Sequence, residues 1–301
     1  MTAPSSAPSN AGIRRLVIAL GGNALATAQD AGPRAQQAAV EVAMEQVAEL
    51  VASGYEIAIT HGNGPQVGNL MLKNELARDV VPAVPLDWCV AQTQATIGYL
   101  IATALERSLA RRGIERAIAV LVTRVLVDAR DPAFSNPSKP IGNDRRLVAS
   151  PEPQRVLDEA SIVRLLDDGG VVVGAGGGGV PMVLEQGALR GVEAVIDKDL
   201  CAALLADHLA ADALVIATDV PGVALELDSD RPRWLGRISA DRLGELHRAG
   251  TFPAGSMGPK VEACLRFVRA GVGRRASIAA LQDLGGAVAG ERGTIVVGGS
   301  G

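Results

Sequence analysis

Aromatic residues are nearly missing from this chain of 301 residues: three Phe, two Tyr and two Trp make up 2% of it. A core without rings must be filled by Ala, Val, Leu and Ile, which suits helices laid on a parallel sheet. Cysteine is equally scarce. Cys89, Cys201 and Cys264 form an odd set with no CxxC pair, which speaks against disulfides and zinc and for reduced thiols in the cytoplasm. The net charge is −4 and there is no long basic block, so no nucleic-acid partner is expected. No apolar run approaches the roughly 20 residues of a membrane span, so no membrane partner is expected either. Residues 1–10 are small and polar, with no apolar centre. A disordered tail over residues 1–12 is expected there, not a signal peptide.

Glycine, by contrast, is abundant at 35 residues, and most of it stands where apolar runs end. Residues 16–20 are unbroken apolar, the pattern of a strand buried on both faces. The run stops at Gly21-Gly22-Asn23. Glycines let a backbone turn sharply and approach a ligand, and in open α/β sheets ligands bind beyond the carboxyl ends of the strands. Residues 55–60 repeat the pattern, running into His61-Gly62-Asn63-Gly64-Pro65. Pro65 suits the first position of a helix, so amides of a glycine turn and of a helix start converge on an anion site. Residues 171–173 empty into Gly174-Ala175-Gly176-Gly177-Gly178-Gly179, and residues 213–218 lead to Asp219-Val220-Pro221-Gly222.

Helices are expected between these runs, over residues 33–52, 86–112, 197–209, 239–249 and 258–271. Further strands are expected over 117–123, 275–280 and 294–297, with a hairpin over 183–196. Strands alternating with helices define an α/β protein with a mainly parallel sheet. A soft boundary at residues 150–153 divides an N-terminal lobe, 13–153, from a C-terminal lobe, 154–301.

Three lysines stand beside glycine turns or helix starts: Lys139, Lys198 and Lys260. Singly, each is most simply a surface charge. Together they suit phosphoryl transfer, which needs positive charge and backbone N–H groups on the phosphates and little covalent help. Asp199 is placed to hold two of the ammonium groups. No GxxxxGK[ST] is present, so this is not a P-loop protein. Gly174, Gly176 and Gly179 satisfy GxGxxG literally, but Pro181 and a hairpin follow where a dinucleotide fold needs a helix. His61 is the kind of lone histidine that more often packs than catalyses. No metal-ligand set emerges.

Several stretches resemble the carbamate kinases of the amino acid kinase family, in the family's order and over nearly the whole chain. They include residues 19–24, 61–69 and 85–87, Gln94 with Ile97-Gly98-Tyr99, and Asn136-Pro137 with Lys139-Pro140-Ile141-Gly142. Residues 176–179, 191–199 and 255–257, and 259–263 complete the match. The resemblance implies a three-layer αβα sandwich, a homodimer, and reversible transfer from MgATP to carbamate giving ADP and carbamoyl phosphate, with Mg2+ carried by the nucleotide. By motif match, Gly21, Gly22 and Asn23 with Gly62, Asn63 and Gly64 would hold carbamate and the moving phosphoryl group, joined by Gly176, Gly177 and Gly178. Lys139, Lys198 and Lys260 would neutralise phosphate charge and Asp199 would orient the lysines. Thr218, Asp219, Val220 and Met257 would flank the nucleotide. Many amino acid kinases carry a lysine on the first strand where this chain has Ala19; carbamate kinases supply that charge from a loop, here Lys139. The alternatives are a related kinase acting on another small carboxylate or phosphonate, and a non-catalytic nucleotide-binding paralogue.

One departure stands out. In the family a protruding subdomain separates the Lys-Pro-Ile-Gly stretch from the Ser-Pro-x-Pro stretch and leans over the substrate. Here only residues 143–149 join Gly142 to Ser150-Pro151-Glu152-Pro153, so that lid is expected to be absent.

Overall fold

A computed structural model describes residues 12–22, 32–142, 146–225 and 232–299. Asn23, Arg145 and most of the expected N-terminal tail lie outside the described residues. The first half runs β1 (Arg15–Leu20), α1 (Pro33–Ala52), β2 (Glu56–His61), α2 (Gly64–Ala77) and α3 (Leu86–Ala110). Five short strands follow: β3 (Ile118–Val120), β4 (Arg124–Leu126), β5 (Lys139–Ile141), β6 (Arg146–Val148) and β7 (Arg155–Val156). The second half runs α4 (Glu159–Asp167), β8 (Val171–Val173), β9 (Val180–Glu185), β10 (Ala188–Gly191), α5 (Lys198–His208) and β11 (Ala213–Thr218). It ends with β12 (Ala224–Leu225), β13 (Arg233–Trp234), β14 (Arg237–Ser239), α6 (Ala240–Arg248), α7 (Met257–Arg269), β15 (Arg275–Ala280), α8 (Leu284–Ala289) and β16 (Thr294–Val297).

Eight strands make one sheet in the order β14-β16-β15-β11-β1-β2-β8-β3. Every pairing from β15 across to β3 is parallel; β16 runs against β15, and β14 runs with β16. The sheet is continuous through both halves of the chain, and β8 lies between β2 and β3. β1 shows why its apolar run is unbroken. Successive side chains of a strand point to opposite faces. Val17 and Ala19 join a core with residues of α4, α5, α6 and α7, whereas Leu16, Ile18 and Leu20 pack with α1, α3 and α8. The fold is therefore a three-layer αβα sandwich.

The strand expected over 117–123 is shorter, Ile118–Val120, and a second strand, β4, begins just beyond it at Arg124. β3 closes one edge of the main sheet, and after Leu121-Val122-Thr123 the chain enters a second sheet, β10-β9-β4-β7. Gln94 holds that break: its Oε1 accepts from the Thr123 amide at 2.9 Å and its Nε2 donates to the Thr123 carbonyl at 3.2 Å. Alternation cannot reveal such a change of sheet, because each piece is only three residues long. The stretch between 128 and 150, which reads as a proline-rich loop, contains the antiparallel pair β5–β6, with Lys139 opposite Val148. This short hairpin occupies the stretch where the sequence leads us to expect no lid. Its turn presses on α2: a Cβ on Gly68 would come 2.0 Å from the Gly142 Cα, and Gly142 itself has φ +69°. All three cysteines are free and buried, and burial pushes the Cys201 thiol up to about 12, far from a reactive thiolate.

Candidate active site

The carboxyl ends of β1, β2 and β11 lie side by side. The ladder continues one residue past two of them, with the Gly21 amide donating to the Ala217 carbonyl and the Gly62 amide to the Leu20 carbonyl, both at 2.9 Å. Those two N–H groups are consumed. The amides of Gly22 and Gly64 have no such backbone partner among the described residues, and Gly64 is the first residue of α2, where N–H groups have no intrahelical acceptor. The two turns touch: a Cβ on Gly62 would stand 2.7 Å from the Gly22 nitrogen. The glycine run after β8 backs them. A Cβ on Gly177 would overlap the Asn63 side chain at 2.1 Å, and Asn63 is fixed from behind by donating to Thr93 Oγ1 at 2.9 Å. The result is a floor of closely apposed main chain, with no room for a side chain at Gly62 or Gly177.

His61 is the last residue of β2 and lies beneath this floor, fully buried, with Gly176 directly against its ring. Its Nδ1 is 3.1 Å from the Gly62 carbonyl oxygen, which can only accept, so Nδ1 carries the proton. Burial drives its pKa down to about 4, the Gly62 bond opposes this, and the nearby Lys198 charge lowers it further. The ring is neutral and supports the floor.

The lysines come from three elements and meet on two carboxylates. Lys198 is the first residue of α5 and bonds Asp199 Oδ1; Lys260, in the first turn of α7, donates to Asp199 Oδ2 at 2.9 Å. Burial would raise the Asp199 pKa, but the two ammonium groups hold it down to about 2. Burial lowers Lys198 from the usual lysine range, with Lys260 adding repulsion and Asp199 opposing. Lys139 reaches over from β5 and donates to Asp197 Oδ2 at 2.6 Å. Asp197 is also the N-cap of α5, its Oδ1 accepting from the amides of Asp199 at 2.9 Å and Leu200 at 3.3 Å. One carboxylate thus ties the hairpin lysine to the helix that carries the other two charged groups. Reasoning from sequence missed this pair, although an acid opening a helix is a visible N-cap signal and leaves one oxygen free.

A cavity of about 780 Å3 gathers these groups. It is lined by Gly21, Gly22, Gly62, Asn63, Gly64 and Gly177, by Lys139, Lys198, Asp199 and Lys260, and by Thr218, Asp219, Val220 and Met257. Gly176 and Gly178 do not line it; they are buried behind, where a Cβ would strike His61 or the Ile196 carbonyl. On the β11 side the wall continues over Gly222, from the turn that ends that strand, and over Ala224, Thr251, Phe252 and Pro253, which carried no sequence signal. The geometry is that of a phosphate site: main-chain donors on one side, convergent ammonium groups on the other, and an apolar-walled annex wide enough for a nucleotide.

The model of the amino acid kinase family matches residues 14–279. Carbamate kinase from Pyrococcus horikoshii is 41% identical over 94% of this chain and 98% of its own length. The carbamate kinase-like protein YqeA of Escherichia coli is 40% identical over 94% of the chain and 99% of its own. Among solved structures, carbamate kinase from Giardia lamblia bound to AMP-PNP superposes with a TM-score of 0.91 at 34% identity, covering 96% of this chain and 99% of that one. The fold and the site define an ATP-dependent phosphotransferase. The chain belongs to the amino acid kinase family, among the carbamate kinases.

Proposed function

We propose that this protein transfers the γ-phosphoryl group of MgATP to carbamate, reversibly, giving ADP and carbamoyl phosphate. The observation that carries the reading is the pair of lysines, Lys198 and Lys260, fixed on one buried carboxylate and facing a floor of backbone amides within one cavity. A carbamate oxygen attacks the γ-phosphorus in line, the bond from phosphorus to the bridging oxygen breaks, and ADP leaves. The nucleophile is already anionic, so no general base is required, which agrees with the neutral, buried state of His61. Gly22, Asn63 and Gly64 would hold carbamate and the moving group, with Gly21, Gly62 and Gly177 shaping that floor. Lys139, Lys198 and Lys260 would offset the charge that spreads over the phosphoryl oxygens, and Asp199 would orient two of them. Thr218, Asp219, Val220 and Met257 would flank the nucleotide. Mg2+ would arrive with the nucleotide; among the described residues no group of three His, Cys, Asp or Glu gathers to hold an ion alone.

On this reading the lobe before residue 153 serves the small substrate and the later lobe the nucleotide. A homodimer is what the family resemblance implies, and three free, buried cysteines suit the reducing cytoplasm. ATP formation from ADP and carbamoyl phosphate tests the activity; no ATP above background would overturn it. A second reading, a different small carboxylate as acceptor, is favoured by the short β5–β6 hairpin. A closing lid excludes water and commits the substrate. With only a hairpin there, ordinary nucleotide affinity should accompany a high KM for the small partner and measurable ATP hydrolysis without acceptor. Tight small-substrate binding and no uncoupled hydrolysis would mean that something else covers the site.

A further inference from the structure

The edge of the sheet opposite the active site holds a second cleft, of about 950 Å3. Its lining is basic: Arg237 from β14, Arg269 from the end of α7, and Arg274 and Arg275 at the start of β15, against a single acid, Asp241. Two of these arginines have structural employment. Arg274 pairs with Asp207 at 2.5 Å and lies over the Phe267 ring, and Arg269 donates to the Ala240 carbonyl at 3.2 Å. The other two are uncommitted to any carboxylate. Arg237 is exposed and has no side-chain hydrogen bond or ion pair among the described residues. Arg275 bonds the Val288 carbonyl through Nη2, while its Nε is buried with no acceptor. Burial and the neighbouring Arg237 charge both lower the Arg275 pKa, with Tyr55 opposing, so the two guanidinium groups repel one another. The first turn of α6, Ala240 and Asp241, lines the same cleft, and its amides beyond the one capped by Ser239 add donors.

We propose that this cleft is a second anion site, taking a phosphate-class ligand: inorganic phosphate or the phosphate group of a small metabolite. The guanidinium fork matches phosphate oxygens, which is why arginine predominates where phosphate is recognised. Register separates the cleft from the active site. Arg275 pairs with Ala213 at one end of β11 and Ala280 pairs with Thr218 at the other, about 17 Å away at the rise of a strand. The proposal does not depend on which small substrate the active site takes.

Hydrogen–deuterium exchange of the whole protein, with inorganic phosphate and separately with glycerol 3-phosphate at matched ionic strength, locates binding by position. Slower exchange over residues 237–242 and 269–276 is expected with at least one of them, and which one protects identifies the source of the phosphate. Arg237→Gln, a surface change, should raise the half-saturating concentration about tenfold or more by removing a charge-assisted contact. Protection confined to the glycine turns, protection reproduced by chloride at the same ionic strength, or an unchanged midpoint in Arg237→Gln overturns the proposal.

Discussion

Two kinds of lysine face the same cavity. Lys198 and Lys260 stand in the first turns of α5 and α7, their side chains 14% and 15% exposed, on a carboxylate that is 5% exposed. Lys139 stands on a three-residue strand of a hairpin, 34% exposed, on a carboxylate that is 12% exposed. A cation at a helix N-terminus opposes the helix dipole, so the first pair is held against an unfavourable field chiefly by Asp199, with Asp197 adding to the hold on Lys198. Such charges are costly in the free protein and are compensated fully only by an anion. The hairpin lysine is easier to move and easier to solvate. On the proposed reaction, the helix pair sets where the phosphates lie, and Lys139 follows the group in transit.

Removing a helix lysine is the severest way to break that comparison. Lys198→Ala or Lys260→Ala should lower kcat by about 10²-fold or more with the fold intact by thermal melting, since each removes preorganised charge from the transition state. Turnover near that of the parent in both variants would remove the role assigned to the pair. Lys139→Ala should cost less, about 10–10²-fold, because solvent already screens it. It should still cost something, because Ala19 offers no charge on β1. Asp197→Asn sharpens the point. Asn caps helices as well as Asp, so α5 should persist while the ion pair is lost and kcat falls with little change in melting temperature.

Placement rather than charge is the next thing to perturb. Gly68→Ala would thrust a methyl group into Gly142 and displace the hairpin that bears Lys139. A loss of about tenfold in kcat is expected, with nucleotide binding unchanged, and in a Lys139→Ala background the same substitution should add little. Full additivity of the two would show that the hairpin acts by another route.

The smallest effect concerns the scaffold under the floor. His61 has a folded pKa of about 4 against 6.5 for a free imidazole, so the unfolded chain binds the proton first. Stability should therefore fall as pH drops from about 6.5 to about 4, by up to about 3 kcal/mol, and level off below. His61→Gln should flatten that window in a urea-melt series. An unchanged pH profile would show that the imidazole is not held neutral.

Much of this was legible before the fold was known, for identifiable reasons. Residues 16–20 read as a strand because both faces are buried, and Pro33–Ala52 read as a helix because Val40, Ala43, Met44, Val47 and Val51 recur at helical spacing and face the core. The lysines and Asp199 were legible because each adjoins a helix start or a glycine turn. Long-range pairings were not. Nothing local ties Lys139 to Asp197, 58 residues away, or sets Phe252 in the cavity wall. The β3–β4 break was hidden because leaving one sheet for another requires no change in hydrophobicity.

The floor of the cavity is made of backbone, and that has a consequence for how the protein can diversify. Bulk added at Gly62 or Gly177 is refused by neighbours closer than 3 Å, whereas Gly22 and Gly64 have space for a Cβ. Selection for a new acceptor is left with those two positions and with the length and sequence of the connection between Gly142 and Ser150. Chain length there is a heritable dial that leaves the blocked part of the floor untouched.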